Sequence, residues 1–94
     1  MLLPSFEIML AEEVVPSHFV KRKGNTWTDA RYYIDIKVND QRLSVVLRDS
    51  SAMCGANNTR SDWIWSHSED LSDPKSIGAM HDWVADLIAK QDYA

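Results

Sequence analysis

The stretch "RYYIDIKVNDQRLSVVLRD", residues 31–49, decides the fold. Tyr32, Ile34, Ile36 and Val38 alternate with Tyr33, Asp35 and Lys37, and beyond Asn39-Asp40 the apolar residues Leu43, Val45 and Leu47 alternate again. Period two is the mark of a strand with one buried face. Asn and Asp tolerate the positive φ of a two-residue hairpin turn, so the turn is expected at 39–40. That placement pairs Ile36 with Leu43, Ile34 with Val45 and Tyr32 with Leu47, and both apolar sets share one face. A central hairpin over 31–48 follows.

Outward from the hairpin, residues 18–23 read as a further strand closed by a turn at Gly24-Asn25. "SDWIWSHSED", residues 61–70, shows a short period-two pattern around Trp63, Ile64 and Trp65 and reads as a third or fourth strand. Residues 74–90 carry the clearest helical pattern. Asp73 is a good N-cap, Pro74 suits the first helical position, and Ile77, Met80, Val84, Leu87 and Ile88 form one apolar stripe with Trp83 at its border. Gly78 interrupts that stretch at a cost of about 1 kcal/mol against alanine, which implies close packing or a frayed first turn. Residues 5–14 fit a helix or a strand. The helical reading rests on Glu, Met, Leu and Ala, and puts Phe6, Met9, Leu10 and Glu13 on one side. The expected fold is α+β: a small antiparallel sheet of three to four strands packed against the C-terminal amphipathic helix, with a short N-terminal helix.

Length and composition agree with one domain over residues 1–94. A hydrophobic fraction of 45% and a charged fraction of 26% are those of an ordinary globular chain. The single cysteine, Cys54, excludes an internal disulfide framework and suits a reducing compartment. "MLLPSFEIML" has no basic n-region and is interrupted by Glu7, so a signal peptide is not expected. No run approaches the roughly 18 apolar residues of a membrane helix. A cytoplasmic location and no membrane partner are the resulting expectations.

The net charge of −4 is unevenly spread. Residues 1–60 are nearly balanced, whereas Asp62, Glu69, Asp70, Asp73, Asp82, Asp86 and Asp92 face only Lys75 and Lys90 in residues 61–94. Such asymmetry points to a partner with a basic surface.

Chemistry-bearing patterns are sparse. Cys54, His18, His67, His81, Glu69 and Asp70 lack the paired short spacing of a closed zinc site, so no metal and no cofactor are expected. Cys54 or His67, beside the small-residue segment 49–61, would serve a cysteine enzyme, but no local signature of one accompanies them. Asp82 and Asp86 sit opposite the apolar stripe, too wet for tuned acid–base work. Lys21, Arg22 and Lys23 with Trp27 make a nucleic-acid accessory reading, which the net acidity opposes.

The two tryptophans at 63 and 65 pose the remaining question. If Ile64 faces the helix, both indoles lie on the open side of the sheet, as aromatic anchors with an acidic rim. If they face inward, the anchor is lost. The resulting expectation is a non-catalytic, acidic protein-binding module using Trp63, Trp65, Asp62, Glu69, Asp70, Asp82 and Asp86. Inhibitors of nucleic-acid-handling proteins, such as immunity proteins, antitoxins and phage anti-defence proteins, share that physical profile without a shared motif. A homodimer joined through the tryptophan face is the other reading.

Overall fold

A computed structural model describes the backbone over residues 4–50 and 63–92, and the side chains over 6–50 and 64–91. The chain runs α1 (Pro4–Val14), β1 (Val20–Lys21), β2 (Thr26–Thr28), β3 (Tyr32–Asn39), β4 (Arg42–Asp49), β5 (Trp63–Asp70) and α2 (Ser76–Asp92). The strands form one antiparallel sheet in the order β1-β2-β3-β4-β5. The fold is α+β as expected, with five strands among the described residues where three to four were anticipated.

The central hairpin forms, and its apolar residues share one face as the alternation requires. Ile34, Ile36, Val38, Leu43, Val45 and Leu47 are all buried. The register differs by two from the expected one. Ile34 lies opposite Leu47, Ile36 opposite Val45 and Val38 opposite Leu43, because the two-residue loop is Asp40-Gln41 rather than Asn39-Asp40. Asp40 alone takes the left-handed conformation, at φ 55°. A shift of two preserves which side chains face the core, so the hydrophobic pattern cannot distinguish these registers; the turn does.

Around the hairpin, β1 and β2 join through Gly24, whose φ of 66° suits a residue without Cβ. The expected strand over 18–23 shrinks to Val20–Lys21. Between β2 and β3, Ala30 holds a φ of 82°, costly for a residue with Cβ. Asp29 holds that corner: its Oδ1 accepts the backbone N–H groups of Arg31 (3.1 Å) and Tyr32 (2.7 Å).

Both helices cover the same face. α2 lies over β5, and α1 packs on α2 and β3. Met80, Val84 and Ile88 of α2 meet the buried side chains of β3 and β4, with Ile77, Trp83 and Leu87 at the border. α2 starts two residues later than the sequence suggests. Asp73 still organises its start: the Asp73 carboxylate accepts the Lys75 N–H (2.9 Å) and its carbonyl accepts the Ser76 N–H (3.0 Å). Nothing lies within 4 Å of where a Cβ on Gly78 would stand, so close packing does not account for that glycine. α1 is a helix, but its buried side is Ala11 and Val14 with half-buried Leu10, while Phe6 and Met9 are exposed. Buried Asp49 is paired with Arg31, Nε to Oδ1 at 3.3 Å and Nη2 to Oδ2 at 3.1 Å. This keeps a carboxylate at the end of the core from being buried unpaired.

The opposite face of the sheet carries Tyr33, Asp35, Lys37, Ser44, Val46, Arg48, Ile64, Ser66 and Ser68, and no described helix covers it. None of the helices over the described residues is long and apolar enough to cross a membrane.

Candidate functional site

β5 carries most of the residues singled out by the sequence. Its alternation of Trp, Ile and Trp favours an extended chain, and pairing with β4 fixes the faces: Leu47, fully buried, lies opposite Trp65. Trp65 therefore lies on the helix-covered side, half-buried against the core. Ile64 is the side chain left outside, 62% exposed. Of the two arrangements open from sequence, the structure adopts the one in which Trp65 belongs to the core border and offers no exposed anchor. Trp63 takes the backbone position opposite Asp49. Its side chain, and the whole of Asp62 and Cys54, lie outside the described residues.

The strand continues far enough for His67 and Glu69 to share a face. His67 Nε2 and Glu69 Oε2 are 2.6 Å apart. The His67 ring also stacks on Trp83 of α2, with centroids 5.1 Å apart and planes 20° from parallel. The pair therefore ties the strand to the helix at the sheet's border. Asp86 follows Trp83 by one turn along α2, and both Asp82 and Asp86 are exposed. Asp82 Oδ1 lies 3.6 Å from His81 Nδ1.

Asp70 ends the strand opposite Arg42. Its Oδ1 accepts the Ser72 backbone N–H (2.9 Å) and the Ser72 hydroxyl (2.8 Å), an Asx turn that leads the chain towards α2. The Ser72 N–H and then the Ser72 hydroxyl hold the carboxyl below the usual aspartate range. Desolvation opposes them, and Arg42 adds the smallest pull downward.

The basic cluster does not converge. Trp27 is 8% exposed and part of the core, so it offers no stacking surface. Lys21 and Arg22 are consecutive residues at the end of a strand, and the Lys21 Nζ is held by the Gly24 carbonyl at 2.7 Å. Among the described residues, no three His, Cys, Asp or Glu side chains converge in a group that could hold a metal.

Two arrangements were not foreseen from the sequence, although Arg48 itself reads there as a basic group on the sheet. Arg48 lies over the Tyr33 ring, 4.7 Å from its centroid, on the uncovered face beside Ile64. The second is the edge position of β5. It is eight residues long and, among the described residues, pairs with β4 alone. Nothing in local sequence states which strand of a sheet is outermost, although the serines alternating in "SHSE" mark a side that needs no burial.

No protein-family model, curated protein or solved structure matches the chain.

Proposed function

We propose that the chain is a small, acidic, non-catalytic module that binds a protein with a basic surface, and that it acts as an inhibitor of a nucleic-acid-handling target. The working surface runs along β5 and the adjoining side of α2. One observation carries the reading: Glu69 and Asp70 of β5 and exposed Asp82 and Asp86 of α2 belong to the two elements that pack together at one border of the sheet. Exposed carboxylates of one sign raise the rate at which a cationic partner is met, and do so less at high salt. Ile64 supplies the apolar contact in place of Trp65, which the core already engages.

The test is kinetic. A partner captured from lysate of the native host is purified, and association is followed across salt concentrations for wild type and for Glu69→Gln/Asp82→Asn/Asp86→Asn. The triple variant is expected to associate about tenfold more slowly at low salt and to converge on wild type at high salt. Equal rates and equal salt slopes would remove the acidic surface from the account.

A further inference from the structure

In an antiparallel ladder, residues alternately turn both backbone groups towards one neighbour and then towards the other side. The phase of that alternation on β5 is fixed at both ends of β4. At its far end the Ser50 N–H donates to the Arg31 carbonyl of the β3 side at 3.0 Å. At its start Asn39 and Arg42 close the β3–β4 hairpin, and the Leu71 N–H donates to the Gln41 carbonyl at 2.6 Å. Leu43, Val45 and Leu47 therefore exchange hydrogen bonds with Glu69, His67 and Trp65. Ile64, Ser66 and Ser68 turn their N–H and C=O groups away from the sheet. The Asp70 carbonyl is already engaged by the Asp73 N–H at 3.0 Å.

Sheet edges are commonly blunted by short length, lysine, proline or a bulge. β5 has none of these: its eight residues are paired with β4 without interruption and include neither Lys nor Pro. The outward-turned residues carry one exposed isoleucine and two serines, which let another chain approach closely.

We propose that the β5 edge accepts an added strand from the partner, an extended segment alternating basic with apolar residues; this rests on the protein-binding reading above. On the helix-covered side, the added strand's side chains fall beside Glu69, His67 and Trp83, one turn from Asp86, where Lys or Arg is matched in charge. On the other side they fall beside Ile64, Ser66 and Ser68, where an apolar side chain covers the isoleucine. Main-chain hydrogen bonds supply affinity and the alternation supplies specificity.

The probe is a synthetic peptide alternating Lys with Val, together with a counterpart N-methylated at alternate amides so that one edge cannot donate. The readout is residue-resolved amide exchange of the full chain. Without peptide, Trp65, His67 and Glu69 are expected to be protected by β4, while Ile64, Ser66 and Ser68 exchange freely. With peptide, these last three are expected to slow by at least tenfold, and the counterpart N-methylated on the edge facing β5 to have no effect. Ser66→Pro removes only an outward N–H and is expected to abolish the protection while leaving the β4-directed amides protected.

No protection at the highest soluble peptide concentration overturns the proposal. Protection of Ile64, Ser66 and Ser68 in the chain alone also overturns it: if the protection rises with protein concentration, the edge belongs to a second copy, and otherwise it is covered within the chain. If Ser66→Pro binds the purified partner as wild type does while the carboxylate variant does not, strand addition falls and the acidic surface stands. If neither variant weakens partner binding, both fall.

Discussion

The two edges of the sheet are built differently. At one end β1 is two residues long. Because the Arg22 N–H donates to the Thr26 carbonyl (2.7 Å), Lys21 is the strand residue that turns its backbone outward, and it carries a charge. Lys23 follows, then the turn at Gly24. At the other end β5 presents Ile64, Ser66 and Ser68 along an uninterrupted strand. The first edge has the features that prevent another chain from pairing, and the second lacks them. The difference teaches where in this molecule interaction is invited: a long, lysine-free edge is a liability unless something is meant to cover it.

The largest effect that would break this comparison comes from beneath β5. Leu47 is fully buried between Ile34 and Trp65. Leu47→Ala is expected to cost about 3 kcal/mol in urea unfolding, within the usual range for buried leucines, and to loosen β5 first in amide exchange. A loss below about 1 kcal/mol would mean that β5 is held by something other than this packing.

The next effect distinguishes the inner side of the strand from its outer side. His67→Pro removes a donor to the Val45 carbonyl, whereas Ser66→Pro removes only an outward one. Measured against His67→Ala, which accounts for the lost stack on Trp83, His67→Pro is expected to cost a further 2 kcal/mol or so. Ser66→Pro is expected to change stability by about 0.5 kcal/mol at most, as surface substitutions do. A larger cost for Ser66→Pro than for His67→Pro would show that the alternation assigned to β5 is out of phase.

The smallest effect concerns the end of the strand. Asp70 has a carboxyl lowered by Ser72, so its contribution to stability is present above its ordinary value and is lost as pH falls through the lowered, folded-state value. NMR titration of the Asp70 carboxyl is expected to show an upward shift in Ser72→Ala, with the midpoint moving back towards the ordinary aspartate range. No shift would assign the lowering to the Ser72 backbone N–H, which the alanine retains.

Much of this was legible in the sequence. The alternation over 32–47 depends only on which side of each strand must leave water, and the stripe over 77–88 depends only on the helical period. Both are local consequences of burial. The hairpin register was legible only up to a shift of two, because burial specifies parity and the turn specifies the rest. The buried side of α1 was not legible, since contacts with α2 and β3 put Ala11 and Val14 inside and leave the more hydrophobic Phe6 and Met9 exposed. Trp65 shows the same limit. A tryptophan beside an isoleucine gives no local preference for which faces the core, and pairing with Leu47 decided it.

The sequence by itself thus determined the α+β class, the central hairpin, the C-terminal amphipathic helix and the uneven charge, because each follows from the period of apolar side chains or from counting charges. Only the tertiary structure decided that β5 is outermost among the described strands, that His67 and Glu69 meet at 2.6 Å against Trp83, and that Ile64 rather than Trp65 faces outward. The physical reason is that strand order and facing are set by contacts between residues far apart in the chain, which no local pattern encodes.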